Sequence, residues 1–105
     1  PYGATYEATR CNGPDAQAGT TQPVGAAAGC VGGVAGLYDM SGNVLEWEDS
    51  CAANGGATDP CSVRGGSFRR RAFFELNGSS QACEVPVNLE RGAAADDVGF
   101  RCCSP

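Results

Sequence analysis

The chain is 105 residues long, with a formal net charge of −5, seven arginines, no lysine and no histidine. That length admits one domain with one modest core, and the acidic balance argues against nucleic acid or an anionic membrane as the main partner. Without histidine there is no Ser-His-Asp triad, Cys-His pair or imidazole base, and without lysine no phosphate-cradling Gly-x-x-x-x-Gly-Lys loop.

Much of the 42 % hydrophobic content is alanine, and four Phe, three Tyr, one Trp and one Met are too few to fill a large core. Sixteen Gly and six Pro favour turns over long regular elements. A core this thin needs staples, and seven cysteines supply them. No Cys-x-x-Cys pair is present, so the usual zinc ligand sets cannot be assembled, and the cysteine density points to disulfides in an oxidising compartment. The expected setting is secreted, extracellular or cell-surface. No apolar run is long enough to span a bilayer, and no signal peptide is visible. Export inferred from the cysteines therefore implies that Pro1 is not the translation start. Seven is an odd number, and a ring between the neighbours Cys102 and Cys103 is strained. One of the two is expected to bond outside the chain or to remain a free thiol.

From Pro1 to Gly36 the sequence reads mostly as loop. Asn12-Gly13-Pro14-Asp15 is a turn signal, and the stretch from Gly25 to Gly33 is Ala/Gly-rich around Cys30. Gly36 to Trp47 is the densest apolar patch: Leu37, Tyr38, Val44, Leu45 and Trp47 flank a polar turn from Asp39 to Asn43. Periodicity leaves open whether short strands or one helical turn follow that turn. Cys51 to Cys61 encloses a Gly/Asn/Asp/Pro loop that a disulfide would close. Ser62 to Phe68 reads as a short strand, with a glycine pair where another backbone comes close. Phe73 and Phe74 read as core, Asn77-Gly78 as a turn, and Asp97 to Cys102 as a closing strand. The predicted class is irregular α+β, a single loop-rich domain over 1–105 with little regular secondary structure.

No pair of carboxylates is spaced to suggest glycoside hydrolysis. The informative stretch is Asp39 to Glu46, where two carboxylates bracket a tight turn. A hard cation such as calcium takes oxygen ligands from carboxylates and backbone carbonyls. A bend around Gly42 can aim the carbonyls of Gly42 and Val44 toward Asp39 and Glu46. The spacing alone better suits a plain turn in which Asp39 caps and Glu46 is solvated. It is not an EF-hand loop.

Three ordered blocks carry a resemblance: Gly36-Leu37-Tyr38-Asp39-Met40-Ser41-Gly42-Asn43-Val44-Leu45-Glu46-Trp47, then Arg64-Gly65-Gly66-Ser67-Phe68, then Gly99-Phe100-Arg101-Cys102. Together they resemble the formylglycine-generating enzyme (sulfatase-modifying factor) family over about the last two-thirds of the chain. Pro1-Tyr2-Gly3 is similar to the aromatic-Gly motif that opens the C-terminal part of that longer domain. The resemblance implies a variant of the C-type-lectin-like fold, poor in regular structure and stabilised by calcium. It further implies a calcium site from Asp39, the carbonyls of Gly42 and Val44, and Glu46, with Asn12 and Asp15 poorer matches to a second site. Family enzymes are copper-dependent oxidases that convert a substrate cysteine to formylglycine with two cysteines spaced five apart. Counted from Gly65-Gly66-Ser67-Phe68, those positions are Arg70 and Glu75, which supply no thiolate for Cu(I). The tryptophan usual two residues after Gly-Asn is replaced by Leu45.

Loop closure suggests the pairs Cys11–Cys30, Cys51–Cys61, and Cys83 with Cys102 or Cys103, each restricting the unfolded chain. Arg69-Arg70-Arg71 is the one concentrated positive run. It suits a carboxylate or sulfate on a glycan or protein ligand, or is strand charge balanced by Glu75, Asp96 and Asp97. Asn77-Gly78-Ser79 has the form of an N-glycosylation sequon. The favoured function is a non-catalytic, calcium-stabilised extracellular lectin-like binding or structural module. The alternatives are a formylglycine-generating oxidase, which an unpaired Cys83 would favour, and a surface or fibre subunit linked through the odd cysteine.

Overall fold

A computed structural model describes residues 3–69 and 87–102. Its regular part is a four-stranded sheet of order β3-β2-β1-β4, with strands β1 (Leu45–Cys51), β2 (Pro60–Arg64), β3 (Val87–Glu90) and β4 (Val98–Gly99). The described residues contain no α-helix. Their one helical element is a three-residue 3-10 turn at Pro14–Ala16, on the Asn-Gly-Pro-Asp signal. The described chain is thus mostly sheet and loop, and the helical half of the α+β expectation finds no helix there.

Alternation sets the faces of the sheet. In β2, Cys61 and Val63 are buried while Pro60 is exposed. In β3, Val87 and Leu89 are half-buried and Asn88 and Glu90 exposed. β1 runs antiparallel to β2, with Trp47 opposite Val63 and Cys51 opposite Cys61 across an irregular register. β3 continues the antiparallel ladder, with Cys61 opposite Leu89. β4 lies parallel to β1, placing Val98 opposite Leu45 and Gly99 opposite Glu46. The turn at Asp39 to Asn43 therefore leads into a strand rather than a helix.

The core is small. Leu45 and Val63 are fully buried, and Trp47, Val87, Leu89 and Val98 pack around them. Leu45, at the position where the family usually has tryptophan, sits at the centre of this cluster. Of the six buried apolar residues among those described, Cys11, Cys30 and Cys61 are half-cystines, beside Leu45, Val63 and Phe68. Sulfur thus makes up a large part of what is buried, as a short, loop-rich chain requires. Disulfides join Cys11 to Cys30 and Cys51 to Cys61. Cys102 is an exposed free thiol. Cys83 and Cys103 lie outside the described residues, as do Phe73, Phe74 and the Asn77-Gly78-Ser79 sequon.

The expected strand from Ser62 to Phe68 begins earlier and ends sooner, at Arg64. Gly65 and Gly66 have φ of 88° and 71°, which turns the chain out of the sheet. A Cβ on Gly65 would stand 3.0 Å from the carbonyl oxygen of Met40, so the glycine pair does mark a close backbone approach. The closing strand likewise shrinks from Asp97–Cys102 to Val98–Gly99.

Two glycines with similar dihedrals separate strain from crowding. Gly36 (φ 82°) faces open space, whereas a Cβ on Gly42 (φ 81°) would lie 2.7 Å from the Asn12 carbonyl oxygen. Gly36→Ala is expected to cost about 1–2 kcal/mol, the left-handed penalty alone. Gly42→Ala adds a backbone clash and should cost distinctly more. Urea unfolding of the two variants checks the order.

Candidate functional site

The turn between Asp39 and Asn43 is built from backbone constraints. Asp39 and Asn43 hold left-handed dihedrals (φ 57° and 66°) on either side of Gly42. Such conformations cost about 1–3 kcal/mol each and persist only where the surroundings over-determine them. Here they do. The Asp39 N–H donates to the Cys30 carbonyl, Gly42 N–H to Gly65, and Asn43 N–H to Asn12 (2.7 Å), while the Asn43 carbonyl accepts from Phe68 N–H.

This turn and the start of β1 line a pocket of about 210 Å³, with Asp39, Asn43, Glu46 and Arg101 as its polar groups and exposed Val24 and Phe100 among its apolar ones. Val44 also lines it. Gly42, between these residues, is not in the lining. It is packed beneath, against Asn12 and Gly65.

Asp39 is buried, and its Oδ2 accepts the Gly25 N–H at 2.8 Å. Glu46 is held by Arg101. The guanidinium Nε donates to both carboxylate oxygens at 3.1 Å, and one terminal nitrogen donates to Oε1 at 2.5 Å. The same terminal nitrogen donates to the Tyr38 carbonyl at 3.0 Å. The two side chains are only 27 % and 20 % exposed, so this pair is less screened than an ordinary surface bridge. The parallel pairing of β4 with β1 explains the contact: Gly99 lies opposite Glu46, and Arg101 follows two residues later.

Behind the pocket is a buried amide network. Asn43 Oδ1 accepts from Asn12 Nδ2 (3.0 Å) and Gln22 N–H (2.9 Å), and Asn43 Nδ2 donates to the Gln22 carbonyl (3.1 Å). Asn12 Nδ2 also donates to the Thr20 carbonyl at 3.0 Å. Both neighbours of that nitrogen are acceptors, which fixes the orientation of the amide. Asn12 Oδ1 is then a buried acceptor with no hydrogen-bond partner. An orphan of this kind costs about 1–3 kcal/mol, and a water or cation relieves it. Asp15, the other residue matched to a second site, is exposed and accepts from the Tyr6 hydroxyl at 2.5 Å.

As a cation site, the pocket offers two carboxylates, Asp39 and Glu46, oxygen donors of the kind calcium takes. Among the described residues no group of three or more Asp, Glu, Cys or His side chains converges, so an ion here would rely on main-chain oxygens for much of its shell. The two carboxylates fit calcium. Arg101 is the group that opposes it.

The arginine run resolves in part. Arg69 is ion-paired with Asp96 and lies over the Phe68 ring, 5.2 Å from its centroid, which is the balanced-charge alternative for that residue. Arg70 and Arg71 lie outside the described residues, as does Glu75. Sequence reasoning missed the roles of Arg101, Asn43, Ser67 and Asp97. The Ser67 hydroxyl donates to buried Asp97 at 2.9 Å, joining the Gly-Gly-Ser block to the residue before β4. Each of these residues lies in or beside a motif block read as scaffold, and no spacing rule separates a packing position from a hydrogen-bonding one.

A family model described as sulfatase-modifying factor enzyme 1-like domain matches residues 2–104, more of the chain than the three motif blocks cover. No curated protein matches. Among solved structures, a crystal structure of CarF is similar with a TM-score of 0.57 and 29 % identity, covering 90 % of this chain and 32 % of CarF. The chain thus spans about a third of CarF's length.

The two kinds of polar contact predict different costs. Arg69→Ala, which removes an exposed pair, is expected to change stability by less than about 0.5 kcal/mol. Asn43→Ala removes three hydrogen bonds, one buried and two half-buried, and places alanine at a left-handed position, and should cost about 3 kcal/mol. Denaturant titration of both variants tests the contrast.

Proposed function

Because the chain belongs to the sulfatase-modifying factor enzyme 1-like family, we propose that it is a non-catalytic member: an extracellular, calcium-stabilised module with a binding or structural role. The observation that carries the calcium half is the pocket itself, where Asp39 and Glu46 flank a turn locked by its neighbours. The orphaned Asn12 oxygen lies outside that lining and bears on the second cation site the resemblance implies. Asp39, Val44 and Glu46 would hold the ion from the pocket. Gly42 would have to contribute its carbonyl from below.

The non-catalytic half rests on sequence. Arg70 and Glu75 stand where the family oxidases carry their two cysteines, and neither gives a thiolate to copper. The two disulfides account for four of the seven thiols, and they support the extracellular setting because such bonds persist in oxidising compartments. A glycan or protein remains the proposed ligand class.

Chelation tests the calcium reading. At calcium one hundred times Kd, binding stabilises a fold by about 2.7 kcal/mol, or about 10–20 °C in melting temperature for a chain of this size. Addition of EGTA is expected to lower the melting temperature by that much, with calcium restoring it. An unchanged melting curve removes calcium from the account. Formation of an aldehyde on a cysteine-containing peptide in the presence of copper would instead identify a formylglycine-generating oxidase.

One observation favours a second reading, a covalently linked surface or fibre subunit: the thiol of Cys102 is free and exposed. Non-reducing electrophoresis of the oxidised protein should then show a dimer that collapses with reductant and is absent from Cys102→Ser. A single monomer band in both samples excludes assembly through this cysteine.

A further inference from the structure

We infer that Arg101 is an internal competitor for Glu46, satisfying the pocket when calcium is absent and setting how tightly calcium binds when it is present. The inference rests on the reading of this pocket as a calcium site.

The pocket contains two carboxylates and one guanidinium, and arginine cannot be deprotonated in a protein. Its formal charge is therefore one negative rather than two. Calcium affinity in oxygen-ligand sites follows the count of charged ligands and the rigidity of the site, so cancelling one of two charges moves the site toward the weak end of the range. Arg101 does this at short range, with three hydrogen bonds to both oxygens of Glu46. It is also anchored to the turn, because the nitrogen that reaches Oε1 also donates to the carbonyl of Tyr38, the residue before Asp39. The guanidinium thus bridges the two segments that carry the carboxylates, Tyr38–Asp39 and the start of β1.

A divalent ion that recruits Glu46 must draw its oxygens away from these donors and sit beside a fixed positive charge. Both effects weaken binding, and both vanish when the guanidinium is removed. The wild-type site is accordingly expected in the class of extracellular modules, with Kd of about 10⁻⁴–10⁻³ M. The apo pocket, conversely, is not left with two unopposed carboxylates, so the fold tolerates calcium depletion better than a purely acidic site would.

Calorimetric titration of calcium into wild type, Arg101→Gln and Arg101→Lys tests the inference. Arg101→Gln is expected to bind calcium at least about tenfold more tightly than wild type. Its melting temperature should be lower without calcium and should rise further when calcium is added. Arg101→Lys, which keeps the charge, should stay within about threefold of the wild-type Kd. Equal affinity in wild type and Arg101→Gln overturns the competition, and weaker binding in Arg101→Gln assigns Arg101 instead to positioning Glu46 for the ion. No heat from wild type or either variant at 10 mM calcium, roughly ten times the weakest expected Kd, sinks the calcium reading itself, a separate result. Should Arg101→Gln fail to fold, the Nε–H resonance of Arg101 in the wild-type protein decides. It should lose its hydrogen-bonded downfield position on calcium titration, and an unmoved resonance in a protein that binds calcium overturns the inference.

Discussion

The turn from Asp39 to Asn43 is held by main-chain hydrogen bonds to segments distant in sequence: Asn12 from the N-terminal loop, Cys30 from the disulfide loop, and Gly65 and Phe68 from the segment after β2. Three of its five residues have positive φ. Left alone, that geometry would relax, since Asp39 and Asn43 are strained at positive φ. The clamp makes it the point where the loops of this molecule meet. Because Glu46 lies just beyond it in β1, the clamp also fixes the spacing of the two carboxylates. Position is set here by backbone bonding, with little help from apolar packing.

Thin packing explains why the staples sit where they do. Cys11 precedes Asn12, and Cys30 accepts the Asp39 N–H through its carbonyl, so the first disulfide ties together two of the strands of the clamp. The second joins the far end of β1 to the first residues of β2, where the register is irregular and the strand leaves the core. One bridge thus secures the approach to the carboxylates and the other the strand that carries Glu46. With Leu45 and Val63 as the fully buried apolar pair of the core, loss of either bridge would release segments that little else holds.

Much of this was legible in the sequence, and the limits have physical causes. Loop content, the two disulfides, the turn at Asp39 and the glycine pair followed from turn chemistry and loop closure, which are local. The length of β2 did not, because a glycine pair suits a strand as a close-approach point, and only the dihedrals of Gly65 and Gly66 show that it ends the strand. The pairing of Arg101 with Glu46 was invisible for another reason. It spans 55 residues and depends on β4 lying parallel beside β1, a topological fact that no window of sequence contains. Gly42 illustrates the same limit at short range. Its missing side chain is what lets the turn pack against Asn12, a contact its spacing from Asp39 did not reveal.

The distribution of arginine bears on what this surface can recognise. Each described arginine has a carboxylate partner: Arg10 with Glu7, Arg64 with Glu48, Arg69 with Asp96, Arg91 with Asp59 and Arg101 with Glu46. Acidic residues outnumber basic ones by 12 to 7, so pairing consumes the positive charge first and leaves carboxylates in surplus. An anionic ligand would have to draw its charge partners from Arg70 and Arg71, outside the described residues, or break pairs already made. A cation meets the same cost at each of these paired carboxylates, Glu46 with its Arg101 among them. The surplus of carboxylates therefore favours cations over anionic glycans or phosphates across the described surface, and within the pocket the carboxylate already paired with an arginine is Glu46.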